Sequence, residues 1–346
     1  MEEEVFFFGI NISSWPKLFI LLFGAVGIFA TFLFHGFAHE KLCSPDYYGF
    51  SEPLFLTFCQ LFGYASLSFP TLFKIIFGKM KLSTSFKHYV FTSLSLIASM
   101  LLANVAALRL SYPTEVLFKS SKLIPVMIGN IIFLKKKPKN TEVISVVFIV
   151  SGLIGISLAD VRGQNRYDNL GIVAVLTSLA FDAIASNLED KMMSFYNASQ
   201  SELISIIYSL GALIIGTFAI ITGQMFSGIR RCIERPSAIL QLLLFSMLGA
   251  VGIQFVYLIM KVFGSLTTVM ITSLRKALTV CLSFLLFKNK QFTRWHLFSV
   301  LLLAAGMQCN IINKVTKGKK VEDPPEIHDE FKNSPLMPVE FEEVGK

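Results

Sequence analysis

No segment of this sequence reads G-x-x-x-x-G-K-[ST], H-E-x-x-H or G-x-S-x-G, so the signatures of nucleotide-hydrolysing loops, zinc proteases and serine hydrolases are missing. Charge is scarce as well. Asp, Glu, Lys and Arg make up 16% of the 346 residues, against 53% hydrophobic residues that include 34 phenylalanines. A soluble chain of this length carries more charge and interrupts its apolar runs more often. Cysteine is sparse and never spaced C-x-x-C: among Cys43, Cys59, Cys232, Cys281 and Cys309, a Cys43–Cys232 disulfide is the less favoured reading. His35 and His39 have the i, i+4 spacing of a metal pair with Glu40 beside them, but no third ligand follows. They read as a helix end at a membrane interface, and neither a metal nor a cofactor is expected.

What the sequence has in abundance is apolar runs. A helix needs about 20 mostly apolar residues to cross a bilayer. Such runs recur at 18–38, 54–77, 89–110, 113–134, 142–160, 170–188, 203–223, 238–260, 264–287 and 294–313. They are continuous rather than alternating, which selects helices over a barrel. The expectation is an all-α polytopic membrane protein with ten transmembrane helices and the lipid bilayer as its partner. The first run reads as an uncleaved signal anchor. The net charge of +8 sits at the ends of the runs, as flanking charge does, and no nucleic-acid partner is expected.

Basic residues in short loops orient the chain. Lys79, Lys81 and Lys87 share a side with Lys135, Lys136, Lys137 and Lys139, and with the start of the tail at Lys314 and Lys317. That side, with both termini, is expected to be cytosolic. Arg230, Arg231 and Arg235, and Lys288, Lys290 and Arg294, fall on the opposite face. A five-span unit repeated in inverted orientation accounts for the conflict, because each half then keeps its own bias. "SSKLIPVMIGNIIFLKKK" (120–137) resembles "SLRKALTVCLSFLLFKNK" (273–290), with Lys122 opposite Lys276, and "HEK" (39–41) matches "EDK" (189–191). An odd number of spans makes such repeats antiparallel, as in many secondary transporters. The predicted organisation is a cytosolic N-terminus (1–17), a first five-helix repeat (18–160), a lumenal loop (161–169), a second repeat (170–313) and a cytosolic disordered tail (314–346). Glycan on the sequons at Asn11 or Asn197, both expected in the cytosol, would overturn the orientation.

Charge inside the spans is the informative exception. A lysine or acid at mid-bilayer costs about 2.5–3.5 kcal/mol on insertion scales. Lys135 and Lys288 escape by snorkelling from helix ends, but Lys122 and Lys276 are central. Lys119 lies one turn from Lys122, and Arg275 precedes Lys276. The plainer reading is internal pairing, with Glu115 opposite Lys119 and with Asp182 central in the sixth span. That pairing leaves two cations over, so a water-filled cavity holding a polyvalent anion is the favoured reading. Tyr112, Asn104, Asn187, Tyr208 and Tyr257 are further candidates for lining it, each with packing as its plainer alternative. Pro125, three residues after Lys122, is expected to bend the fourth helix. An intramembrane enzyme using Asp182 or a lysine is the remote alternative.

"SYPTEVLFKSSKLIPVMIGN" (111–130), "FDAIASNLEDKMMSFYNASQSE" (181–202) and "GSLTTVMITSLRKALTVCLSFLLF" (264–287) closely resemble segments of the nucleotide-sugar transporter superfamily. The resemblance is to the branch that includes Golgi transporters of PAPS (3′-phosphoadenosine 5′-phosphosulfate), in its second subtype, and extends over nearly all of 18–315. It implies a ten-helix drug/metabolite-transporter fold in the Golgi membrane. It also implies antiport, in which a cytosolic nucleotide-activated donor enters as a spent nucleotide leaves. It places the phosphate-contacting lysines of spans four and nine on Lys119 and Lys276. "TSLRK" (272–276) departs from the glycine-alanine-leucine-asparagine-lysine motif of some GDP-sugar relatives, which argues against that substrate. Glu115 stands where a neutral residue is expected, and "EDK" replaces a usual Q-E-K. The implied cargo is PAPS with an adenine counter-nucleotide, and a UDP-sugar is the alternative. The oligomeric state, a homodimer included, stays open.

Overall fold

The structure, a computed structural model, describes residues 6–8, 10–43, 46–110, 118–119, 121–135, 138–160, 168–286 and 294–316. Within these, the side chains of residues 6, 40, 104, 107–108, 156–160, 276–286, 294, 296 and 310–316 fall outside the description. Among the described residues the regular structure is all helical apart from one hairpin. Strands β1 (Phe6–Phe7) and β2 (Ile10–Asn11) pair antiparallel. Eleven helices follow among the described residues: α1 (Lys17–Cys43), α2 (Pro53–Ser66), α3 (Phe69–Ile76), α4 (Phe86–Arg109), α5 (Leu123–Leu134), α6 (Asn140–Asp160), α7 (Asn169–Phe195), α8 (Gln200–Ile221), α9 (Gln224–Glu234), α10 (Ser237–Leu286) and α11 (Arg294–Thr316).

Among the described residues, five stretches are long and apolar enough to cross a membrane: Lys17–Cys43, Phe86–Ala103, Asn169–Phe195, Gln200–Ile221 and Ser237–Arg275. Shorter apolar helical stretches cover Leu123–Leu134, Asn140–Gly155 and Leu297–Cys309. Val26, Phe37, Leu213, Ile221 and Leu240 are all well exposed. So large an exposed apolar surface suits lipid and would aggregate in water.

Local chemistry explains where the helices differ from the apolar runs. The run at 54–77 splits into α2 and α3 because Pro70 lacks an N–H and its ring clashes with the preceding turn. Pro125 does not bend a helix, contrary to expectation. Helix α5 starts at Leu123, so Pro125 sits in the first turn, where its missing N–H has no intrahelical acceptor to lose. The runs at 238–260 and 264–287 join in α10, broken only at Gly264, whose φ of 82° lies in the left-handed region that favours glycine. The arginine-bearing 224–235 segment, expected as a loop, is the amphipathic helix α9. Ser199 and Glu202 form a capping box at the start of α8. Asp168 caps α7 by accepting from Leu170 N (3.0 Å) and pairs with Arg109 (2.9 Å), and these contacts hold its carboxyl below the usual carboxylate range.

Helices pack through small residues. Gly24 and Gly27 of α1 meet Ile259 and Phe255, so α1 runs antiparallel to the part of α10 before Gly264. Ser99 of α4 meets Ser178 of α7, Gly211 of α8 meets Leu61 of α2, and Gly152 and Gly306 join α6 to α11. The hairpin packs beside Phe255 and Phe263 and marks one end of the bundle. At the other end α9 packs on the α1–α2 connection. There Arg231 pairs with Glu52 (2.9 Å) and donates to Ser51 Oγ and the Gly49 carbonyl, while Arg235 donates to the Tyr47 carbonyl. Cys43 and Cys232 lie in one cluster with Phe50 and Phe55, and both are free thiols.

Candidate functional site

The charged candidates that the structure describes in helices lie on α5, α7 and α10. Lys122 stands at the N-cap of α5 with helical φ and ψ, so its side chain leaves the helix at the first turn. Its Nζ lies 2.6 Å from Asp182 Oδ2 on α7, and the two side chains are 23% and 27% exposed. The internal pairing weighed for Asp182 is therefore formed, and its partner is Lys122. Two opposite charges inside an apolar bundle offset much of each other's desolvation penalty, whereas either one alone would be costly. Lys119 is half-buried one turn earlier. Arg275 on α10 is half-buried with its guanidinium 5.5 Å from the Phe32 ring centroid, a cation–π contact with α1. Lys276 lies on α10 but its side chain is outside the description, as is that of Asn104 on α4, and Tyr112 lies outside the described residues altogether.

The aromatic candidates do come together, though buried. Tyr208 of α8 sits edge-on to Tyr64 of α2 (5.3 Å, 77°) and to Tyr257 of α10 (6.2 Å, 66°). Gln60 donates to the Tyr64 hydroxyl (2.5 Å). Glu189 of α7 is buried, and the buried Tyr257 hydroxyl has no hydrogen-bond partner among the described residues. Phe32, which lies under the Arg275 guanidinium, stands edge-on to His35 (5.8 Å), so Arg275 sits beside the contact between α1 and α10. His35 packs flat on Phe245 (4.4 Å) and bonds its carbonyl through Nδ1 (2.9 Å), a packing role at a helix–helix contact.

Asn187 is a clamp between helices. It is buried, and its Nδ2 donates to the Ala183 carbonyl (2.7 Å) and across to the Val126 carbonyl of α5 (3.3 Å). Gly129 makes room for it, since a methyl group there would overlap the Asn187 carboxamide. Gly129→Ala is expected to destabilise the protein by about 1–3 kcal/mol, read as a lower unfolding temperature in detergent. An unchanged temperature would show that the two helices part at little cost.

Beyond these candidates lies a polar knot that sequence reasoning did not assemble. Asp190 Oδ2 accepts from Ser265 N (2.8 Å), Ser265 Oγ bonds Asn130 Oδ1 (3.0 Å), and Lys261 Nζ donates to the Met193 carbonyl (3.0 Å). The only signal for it was the acidic "EDK" triplet set against the glycine at 264. A separate cavity of about 600 Å³ at the α9 end is lined by Tyr48, Glu52, Arg230, Arg231, Glu234 and Arg235, and none of the interior charges borders it.

A lipid-facing helical bundle that keeps ionisable groups in its interior has the build of a membrane transporter. The profile of the UAA transporter family matches residues 20–314, and the chain belongs to that family. A mouse protein named adenosine 3′-phospho 5′-phosphosulfate transporter 2 is 32% identical over 322 residues, covering 90% of this chain and 84% of its own. Proteins of the same name from Caenorhabditis briggsae and human are each 32% identical, covering 90% of this chain and 85% and 77% of their own. These relatives are named as transporters, not enzymes. One solved crystal structure superposes with a TM-score of 0.59 at 13% identity, covering 84% of this chain and 98% of that one, which shows the fold.

Proposed function

We propose that this protein moves PAPS from the cytosol into the Golgi lumen in exchange for an adenine nucleotide such as 3′,5′-ADP or AMP, and so supplies sulfation. The reading is carried by Lys122, paired with Asp182, and Arg275, over the Phe32 ring, as charged groups among the helices of a chain whose relatives bear that transporter's name. PAPS brings a 3′-phosphate and a phosphosulfate, so it carries more negative charge than a UDP-sugar and calls for several fixed cations. Lys119, Lys122, Arg275 and Lys276 would grip those groups. Tyr112 and Asn104 would line the cavity, and Asn187, Tyr208 and Tyr257 would form its packed floor.

The Lys122–Asp182 pair suggests how exchange is enforced. Cargo phosphate displaces Asp182 from Lys122; when cargo leaves unreplaced, Asp182 closes back on Lys122, but the remaining cations of the site lose the cargo's charge, which disfavours the return of an empty carrier.

Helix pairing supports two inverted five-helix repeats. Exchanging the spans of the first half with those of the second turns the α4–α7 contact into the contact between α1 and the first part of α10. The α2–α8 and α6–α11 contacts map onto themselves. With the basic 79–87 and 135–139 segments in the cytosol, the hairpin end is cytosolic, as are both termini, and the α9 end is lumenal.

Purified protein in liposomes preloaded with 3′,5′-ADP is expected to take up labelled PAPS, and to do so poorly in liposomes without nucleotide. Competing UDP- and GDP-sugars are expected to leave uptake intact. Preferred uptake of a UDP-sugar would replace the cargo while keeping the fold, and strong uptake into empty liposomes would remove the exchange step.

A further inference from the structure

Among the described residues, burial is dense where α7, α8 and α10 meet. The last turns of α7 are buried almost without interruption from Ala185 to Met193, the first turns of α8 from Glu202 to Tyr208, and α10 on both sides of Gly264. All of these lie at the hairpin end. The Lys122–Asp182 pair, a quarter exposed, lies deeper in the bundle. At the hairpin end the polar knot joins α5, α7 and α10, the helices to which Lys122, Asp182 and Arg275 belong. Asn130 is about two turns along α5 from Lys122, Asp190 about two turns along α7 from Asp182, and Ser265 nearly three turns along α10 from Arg275, so each charge stands roughly 12–15 Å from the knot.

The geometry points to the Asp190–Ser265–Asn130 knot as the gate that closes the transport cavity at the hairpin end. Asp190 is a positioning residue that holds the second part of α10, with Arg275, against α5 and α7. This rests on the reading of the chain as an alternating-access carrier, and it does not depend on which nucleotide is carried.

The chemistry makes such a knot two-state. Ser265 is the first residue after the break, so its N–H has no acceptor within its own helix. Asp190 supplies that acceptor from another helix, and the positive end of the α10 segment offsets the burial of the carboxylate. Parting them in a dry interior would leave a bare carboxylate and an unmet N–H, so separation requires water to enter. The gate is therefore either dry and capped or wet and open. Gly264 permits the approach, because a Cβ there would stand 3.1 Å from Asp190 Oδ2. Lys261, bonded to the last turn of α7, straps the chain on the other side of the break.

Hydrogen–deuterium exchange on the full-length protein in liposomes, without cargo, tests this. Asp190→Ala is expected to speed amide exchange at 126–130 and 265–269 on the order of tenfold, the scale of one lost charge-assisted hydrogen bond. Exchange along α9 and across the α6–α11 contact should stay as it was. Asp190→Asn, which keeps an acceptor oxygen, is expected to restore slow exchange. If Asp190→Ala does not fold, Ser265→Ala, which cuts only the link to Asn130, should give the same local pattern more weakly. A rise spread evenly over the bundle would make Asp190 a stabilising cap and nothing more, and no change at either segment would overturn the gate. Failure of the PAPS assignment would instead alter the cargo panel and leave these exchange rates untouched.

Discussion

Lys122→Ala is expected to reduce PAPS uptake into liposomes by about two orders of magnitude, the scale of a lost charge-assisted phosphate contact, and removing Asp182 as well is expected not to restore it. The pair is short, at 2.6 Å, and only partly shielded from water. Two roles for it make opposite predictions. If Lys122 serves only to neutralise Asp182, the single variant leaves a lone carboxylate in the membrane interior, and Lys122→Ala with Asp182→Asn relieves it and recovers transport. If Lys122 grips cargo, the double variant recovers thermal stability in detergent but stays inactive. Asp182→Asn alone then keeps its uptake, with a lower KM, because cargo no longer competes with a resident carboxylate for the ammonium. Full recovery of uptake in the double variant would take Lys122 out of the binding site.

Glu202→Ala is expected to lower stability by about 3–5 kcal/mol while leaving uptake per folded molecule near that of the parent. Glu202 is fully buried, yet it makes no ion pair among the described residues. Its Oε1 accepts from Ser83 N (2.8 Å) and the Tyr89 hydroxyl (2.6 Å), its Oε2 from Ser83 Oγ (2.7 Å), and it completes the capping box with Ser199. Truncation strands the fully buried Tyr89 hydroxyl and loosens the segment before α4 from the start of α8. Glu202→Gln keeps acceptor capacity and should lose clearly less. Unfolding in detergent, read with hydrogen exchange over 83–89, checks both variants. Equal stability of Glu202→Ala and the parent would mean that water satisfies those donors and that the region is wetter than its packing implies.

The apolar runs predicted the helices well wherever nothing but length and hydropathy mattered, as in α1, α4, α7 and α8. They failed at the punctuation. A run that is apolar throughout says nothing of a break, so the division of α2 from α3 rested on one proline. Pro125 was misjudged because the helix that holds it starts at Leu123, which puts the proline in its first turn. Helix α9 escaped notice because an amphipathic segment of three turns is too polar to register as a span. The candidate site was legible in part. Lysines and an arginine inside apolar runs stood out, because the membrane penalises them at any position. Asn187, Tyr208 and Tyr257, chosen as candidates for lining the cavity, are buried, and nothing local distinguishes a clamp or a packing residue from a cavity wall.

The sequence by itself determined that the chain lives in a membrane as helices and that cations lie within it, since both follow from transfer free energies that each residue carries wherever it sits. Tertiary structure alone decided which carboxylate meets Lys122 and which three helices share the Asp190 knot. Those outcomes depend on partners 60 to 135 positions away along the chain. Hydropathy has no term for such distances, and a hydrogen bond exists only once the helices have met.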